Sequence, residues 1–128
     1  MLIPHLHFNG DCKDAIVLYE KAFNTKAGKV EYMSEPDDGN GNKKIAHVRM
    51  KIQNQTVFLN DRFGNKDKTL DCAVHLILTF KTPEELLACY EHLKEGGTMI
   101  DPFKETPYTK LCGNFMDKFG VLWGFMVR

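Results

Sequence analysis

The sequence predicts an α+β protein made of two similar modules, each with the order strand, helix, strand, strand, strand. Two amphipathic helices with start signals recur 71 residues apart, since Asp11 and Thr82 hold equivalent positions (82 − 11). Each helix follows an apolar strand, and the two strands superpose at a shift of 72 that places Phe8 on Phe80 (80 − 8). In a chain of 128 residues, these repeats favour one domain: module one about 1–60, a linker about 61–70 and module two about 71–128.

Residues 3–23 form the best-defined part of the first module: a short strand, an Asn9-Gly10 turn and a helix at 11–23. Asp11 is the expected N-cap, with its carboxylate accepting a hydrogen bond from the first helical turn. Apolar residues at three- and four-residue steps predict the buried helix face: Cys12, Ala15, Ile16, Tyr19, Ala22 and Phe23.

Three further strands are expected in this module, at 27–33, 45–52 and 55–60. The polar, glycine-rich segment 34–44 separates the first two and predicts an exposed hairpin tip. Segment 45–52 alternates, with His47, Arg49 and Lys51 on one face and apolar residues on the other. The segment 61–70 is expected to be an exposed connector.

The second module repeats this order, with a strand at 72–80 and a helix at 83–95. Thr82-Pro83-Glu84-Glu85 combines an N-cap, a proline at the first helical position and a capping box. Gly96-Gly97 is expected to end the helix. Strands are predicted at 98–100, 109–116 and 121–127, and 101–107, with its two prolines, is expected to be a loop or an irregular edge.

The composition argues against several functional classes. Seventeen basic residues balance seventeen acidic ones, and no basic stripe with interleaved aromatics occurs, so nucleic acid is not an expected partner. No apolar run reaches the roughly 20 residues that span a bilayer, and the N-terminus lacks the basic start of a signal peptide. Cys12, Cys72, Cys89 and Cys112 form no Cys-x-x-Cys pair, which favours reduced thiols and a cytoplasmic location.

Three stretches carry a resemblance to a known family: residues 4–10 (PHLHFNG), the helix positions Ala15, Ile16, Tyr19, Ala22 and Phe23, and residues 117–123 (DKFGVLW). They resemble the PhnB-like branch of the vicinal-oxygen-chelate superfamily, which includes glyoxalases, bleomycin-resistance proteins and extradiol dioxygenases. The resemblance implies two βαβββ modules whose curved mixed sheets form a cup, with the helices on the outer faces. Ubiquinone methyltransferase is a common name in this branch, yet no glycine-rich loop of the nucleotide-binding type follows a strand here.

The resemblance also implies which side chains face the cup. Leu6 and Phe8 are expected to pack on the first helix, and Trp123 to pack away from the cup. The candidate ligand-contacting residues are His5, His7, Phe58, Asn60 and His75.

Metal-binding members of the superfamily use one histidine or glutamate from each of four strands. Those positions fall on Ile3 or Pro4, near Phe58, on His75 and on Gly124, so His75 is the only match and no cofactor is predicted. The favoured hypothesis is therefore a homodimeric small-molecule binding protein with a degraded metal site. A second hypothesis is a divalent-metal-dependent enzyme of the lyase or dioxygenase type, using His75 with His5 or His7. The third is a structural or protein-interaction domain, and the ligand stays unnamed because function depends on the site rather than on the fold.

Overall fold

The computed structural model describes residues 1–34, 43–62 and 74–128. The chain divides into two compact units, Met1–Thr69 and Leu70–Arg128. Within the described residues, each unit contains one helix and one open, four-stranded mixed sheet in the order strand, helix, strand, strand, strand. The predicted fold class, α+β with two βαβββ modules, is confirmed. No helix of the described part is both long and apolar enough to cross a membrane.

The first unit contains β1 (His5–Phe8), α1 (Cys12–Ala22), β2 (Glu31–Tyr32), β3 (Ile45–Ile52) and β4 (Gln55–Asp61). Its strands are ordered β1-β4-β3-β2. β1 runs parallel to β4, whereas the other pairs are antiparallel. β4 therefore lies in the interior of the sheet, with β1 on one side and β3 on the other.

The helix α1 covers one face of this sheet. Phe8 is buried and contacts Tyr19 at a ring-centroid distance of 6.2 Å. His5 and His7 are exposed, which confirms that the histidines of β1 point away from the helix. The core between α1 and the sheet also holds Cys12, Ala15, Ile16, Val48, Met50, Val57 and Leu59.

The start of α1 differs from the prediction. Asp11 makes no side-chain bond to the first helical turn, and its carboxylate instead accepts a bond from Asn9 N at 3.2 Å. Asp61, only 1% exposed, accepts from Gly10 N at 2.9 Å and Cys12 N at 3.0 Å through Oδ1. A carboxylate from β4 therefore satisfies the helix N-terminus, so the predictions of an Asp11 cap and of an exposed connector beginning at residue 61 were wrong.

The second unit contains β5 (Leu76–Phe80), α2 (Pro83–Leu93), β6 (Thr98–Thr106), β7 (Thr109–Met116) and β8 (Leu122–Val127). Its strands are ordered β5-β8-β7-β6, with β5 parallel to β8. The two sheets thus share one topology, since the parallel pair joins the first and last strand of each unit.

The predicted N-cap and first-position proline of α2 are confirmed, whereas the helix ends at Leu93 instead of the predicted Glu95. Thr82 Oγ1 accepts a hydrogen bond from Glu85 N at 3.1 Å, and Pro83 is the first helical residue. After Leu93 the chain turns through Gly96, whose φ is 73°. The helix packs on the sheet through an aromatic cluster in which Tyr90 contacts Phe115 and Phe115 contacts Phe125, each at 4.9 Å between centroids.

Two strands differ in length from the prediction. β6 extends through Thr106, although 101–107 was expected to be a loop or an irregular edge. It is the edge strand of its sheet and its register against β7 shifts repeatedly, so Pro102 is tolerated there. β2 has only two residues where 27–33 was expected, and isolated bonds such as Gly28 N to Arg49 O at 2.8 Å hold its flanks. Most of the predicted hairpin tip 34–44 and connector 61–70, and the start of the strand 72–80, lie outside the described residues.

Candidate functional site

The strand register brings the predicted site residues of the first unit together. On β4, Phe58 pairs with His5 of β1 on one side and with Arg49 of β3 on the other. Two residues further along, Asn60 pairs with His7, and the same antiparallel register puts His47 level with Asn60. We call this surface, opposite α1, the histidine face: His5, His7, His47, Arg49, Phe58 and Asn60.

Phe58 is the centre of the contacts on the histidine face. The His47 ring lies 4.7 Å from the Phe58 ring and the His5 ring 5.8 Å from it, both edge-on. The His5 and His7 rings are 4.2 Å apart. Arg49 Cζ lies 5.6 Å from the centroid of Phe58, within cation–π distance.

The electrostatic environment disfavours further positive charge on this face. Burial, followed by the proximity of His7 and His47, lowers the pKa of His5 below its ordinary value of 6.5. Glu31, paired with His47 across β2 and β3, is the one carboxylate that we find on this face among the described residues. An anion placed here would relieve the repulsion among the imidazoles.

Two buried polar atoms, one on β4 and one on the residue after it, have no hydrogen-bond partner among the described residues. Asn60 is 4% exposed, and its Oδ1 accepts no bond. The Nε of Arg62 is likewise buried without a partner. Arg62 N donates to Phe8 O at 2.7 Å, so the β1–β4 pairing continues through residue 62, and strand alternation places Arg62 on the same face as Asn60. Leaving such a group unsatisfied costs about 1–3 kcal/mol.

His75 belongs to the second unit, where it is exposed and lies beside Gly124. A Cβ at position 124 would lie 3.8 Å from His75 Cε1 and 2.8 Å from Asn114 Oδ1. The Asn114 amide donates to Asp101 Oδ2 at 2.8 Å. That His75 shares a cavity with His5 or His7 stays a prediction.

The residues at the superfamily's metal positions do not fit a metal. In the first unit, Phe58 N donates to Pro4 O at 3.0 Å, so these two positions are neighbours, and neither side chain offers a donor atom. In the second unit, His75 faces Gly124, which has no side chain. Within the described part of the chain, no three His, Cys, Asp or Glu side chains are arranged to hold a metal ion.

The side chains of Trp123, Cys12 and Cys89 are buried and contribute to the cores of the two units. Trp123 is fully buried and donates through Nε1 to Asp117 Oδ2 at 2.9 Å. This confirms that its side chain packs on the opposite face of β8 from Gly124. Burial raises the pKa of the thiols of Cys12 and Cys89 to about 12, so both stay protonated and are poor nucleophiles.

A shallow cavity of about 470 Å³ lies elsewhere, beside the last turns of α1. It is lined by Val17, Glu20, Lys21, Asn24, Thr25 and Lys26. The Glu20 carboxylate there already accepts a bond from Ala27 N at 2.8 Å. The buried, unsatisfied polar atoms found among the described residues belong to Asn60 and Arg62 instead, so the histidine face is the better candidate.

Three members of the site were missed by the candidate set taken from the sequence: His47, Arg49 and Arg62. The alternation of 45–52 already put His47 and Arg49 on one face, but their partner strand was not known. Arg62 was assigned to a connector, although the two-residue step from Phe58 through Asn60 leads to it. Extending the predicted strand 55–60 and its alternation as far as residue 62 would have placed Arg62 on the same face as Phe58 and Asn60.

Comparison with known proteins identifies one similar curated protein and several structures with a similar fold. Protein YjdN of Escherichia coli (strain K12) is 24% identical over 135 residues, which cover 95% of this chain and 91% of the relative. The structure of a putative 3-demethylubiquinone-9 3-methyltransferase, PhnB protein, from Bacillus cereus matches with a TM-score of 0.85 at 23% identity, over 99% of this chain and 98% of that one. A glyoxylase/bleomycin resistance protein/dioxygenase domain from Frankia sp. EAN1pec matches with a TM-score of 0.73 at 16% identity, over 99% and 90%.

These likenesses show that the chain, with its two βαβββ units, has the same fold as those proteins. The family model described as 3-demethylubiquinone-9 3-methyltransferase matches residues 1–126. The chain belongs to this PhnB-like family.

Proposed function

We propose that the protein binds a small organic acid on the histidine face. The observation that supports this is the convergence of three imidazoles with the guanidinium of Arg49 around one aromatic ring. The Arg62 guanidinium follows on the same side of β4. Such donors match the oxygens of a carboxylate or a phosphonate, and guanidinium groups are suited to both.

The non-polar part of the ligand would contact Phe58. This ring is partly exposed and is flanked by the flat rings of His5 and His47. Stacked and edge-on contacts of this kind suit a planar or short hydrocarbon skeleton. The proposed ligand is therefore an organic acid rather than a free inorganic ion.

Affinity for the acid should depend on pH. An anion favours the protonated imidazoles, so affinity rises as pH falls through the histidine pKa values. For His5 this increase comes below pH 6.5, because its pKa is lowered in the folded protein. Guanidinium groups in general are charged at all these pH values, so weaker binding should persist above that range.

Methyl transfer, named in the description of the matching family, is not our proposal. The sequence has no glycine-rich loop of the nucleotide-binding type after a strand. The alternative of a metal-dependent lyase or dioxygenase finds one histidine, His75, at the four positions that such chemistry uses in this superfamily.

Calorimetric titration with benzoate and with phenylphosphonate tests the proposal. Arg49→Gln should weaken binding of either acid by about tenfold, the loss of one charge-assisted contact. Lys51→Gln is the matched control, since Lys51 lies on the same strand and the same face but next to Thr56 instead of Phe58. Equal losses in the two variants, or no binding of any acid by the unmodified protein, would refute the proposal.

The predicted contact between His75 and the ligand is tested in the same titration. His75→Ala should abolish binding and leave the thermal midpoint unchanged, because this side chain is exposed. Unchanged affinity in this variant would remove His75 from the ligand site without touching the case for the histidine face.

A further inference from the structure

We infer that the organic acid carries a hydroxyl group, which donates to Asn60 Oδ1, while one of its acid oxygens accepts from Arg62 Nε. This assigns a substrate class, the hydroxy acids, and two specificity-determining residues. It rests on the proposed function, because the same face would hold the ligand.

The first observation is the orphan acceptor of Asn60. The side chain is 4% exposed, lies on the interior strand of its sheet and leaves Oδ1 without a donor. His7 is level with it on β1, and His47 is level with it on β3, yet neither donates to it. A rotamer change of a neighbouring side chain would open Oδ1 to a ligand without moving the backbone. A buried oxygen of this kind discriminates strongly for a ligand that brings a hydrogen-bond donor.

The second observation is independent and concerns a hydrogen-bond donor instead of an acceptor. Arg62 Nε is a buried donor without an acceptor, on a side chain that is always charged. The continued β1–β4 pairing places it at the next same-face position after Asn60, at a Cα separation of about 7 Å. An acid oxygen is the natural acceptor for this N–H.

Taken together, the two atoms favour a ligand that brings both a hydrogen-bond donor and a negatively charged acceptor. A plain carboxylate would satisfy Arg62 and leave Asn60 Oδ1 unsatisfied, because a carboxylate has no proton to donate. A neutral alcohol can donate to Asn60 Oδ1 and accept from Arg62 Nε–H, but it brings no negative charge to the buried guanidinium. A hydroxy acid satisfies both, and Phe58 supplies a wall for the carbon skeleton between them.

Asn60 is also a poor choice for stability alone. Leucine has the same branched shape, with methyl groups in place of the amide oxygen and nitrogen, and it would remove the unsatisfied acceptor. Replacement of such a residue by an apolar one is expected to be neutral or stabilising, as is common at sites kept for function. We therefore expect Asn60→Leu to unfold at the same temperature as the unmodified protein or at a higher one.

The test compares acids that differ only in the donor: mandelate with phenylacetate, and meta- and para-hydroxybenzoate with benzoate. These pairs sample three separations between hydroxyl and carboxylate. In the unmodified protein, at least one hydroxy acid should bind about tenfold more tightly than its partner. Its methyl ether, which keeps the oxygen and loses the proton, should bind no better than the plain acid.

Variants separate the two assigned roles. Asn60→Leu should abolish the preference, so that the hydroxy acid and the plain acid bind this variant with equal affinity. Arg62→Gln should weaken both members of a pair by the same factor. Because the comparison with the methyl ether uses the unmodified protein, the inference stays testable even if a variant does not fold.

The failures are distinguishable. If plain and hydroxy acids bind equally and Arg49→Gln weakens both, the proposed function stands and this inference falls. If Asn60→Leu is also less stable than the unmodified protein, the orphan pair serves the fold through bound water instead of a ligand. If none of the acids binds, the proposed function falls, and this inference falls with it.

Discussion

At the residue scale, Asp61 is a buried side chain whose carboxylate satisfies several backbone groups at once. Its two oxygens accept hydrogen bonds from three backbone N–H groups, those of Gly10, Cys12 and Ile45, at 2.8–3.0 Å. One carboxylate thereby joins the end of β4 to the start of α1 and to the start of β3. Two of the partners lie 49 and 51 residues away along the chain, so local sequence rules favoured Asp11 instead.

Removal of this carboxylate should be costly. Asp61→Ala leaves three donors without a partner in a buried place, and we expect the free energy of unfolding to fall by about 3 kcal/mol or more. Urea unfolding measures this loss. Asp11→Ala is the matched control and should cost less than about 1 kcal/mol, because Asp11 makes no bond to the first helical turn. Similar losses in the two variants would contradict the assignment.

His5 should make stability depend on pH. Its pKa is lowered in the folded protein, so the unfolded chain takes up a proton first as pH falls. The free energy of unfolding therefore decreases from about pH 6.5 down to the folded-state pKa and levels off below it. Urea midpoints at about pH 7.5 and about pH 5.5 should differ less in His5→Gln than in the unmodified protein.

The control for this measurement is His92→Gln, because His92 is an exposed residue of α2 and belongs to the second unit. This variant should keep the full difference between the two midpoints. An unchanged pH dependence in His5→Gln would show that the environment of His5 does not penalise its protonation.

At the element scale, the sequence predicted best the segments whose signals are local. The bounds of β3 and β7 agree with the prediction, and for β3 the alternation of polar and apolar residues marks a strand that is buried on one face. β6 was cut short at its proline, although an edge strand tolerates a residue that cannot donate. The error at β6 has a physical cause: position in the sheet, which the local sequence does not encode, decides whether proline breaks a strand.

The start of α2 is a local signal whose energy can be measured. Thr82→Ala removes the acceptor for Glu85 N and should lower the free energy of unfolding by about 1 kcal/mol. Thr82→Ser keeps the hydroxyl and should cost only a few tenths of that. Urea unfolding of the two variants decides the matter, and an Ala variant as stable as the Ser variant would show that the cap contributes nothing.

At the scale of the whole molecule, the repeat and the helix faces were enough to predict two βαβββ units, since each depends on periodicity within a segment. The candidate site was predicted in part: His5, His7, Phe58 and Asn60 share one face, as their alternation requires. Arg49, His47 and Arg62 joined them only through the register of β4 with its two neighbours and its extension by one residue. Register depends on which strands pair, and pairing is a property of the complete fold.

The last prediction is that the protein is a homodimer. Each unit has one helix on a four-stranded sheet, and large apolar side chains stay exposed on helices and strands alike. Among the described residues, Ile100 of edge strand β6 is 48% exposed and Ile77 of β5 is 59% exposed. Apolar surface and a strand edge of this kind favour association with a second copy. Light scattering at micromolar concentration should give twice the 14.7 kDa chain mass, falling toward one chain on dilution, whereas a constant 14.7 kDa would rule the homodimer out.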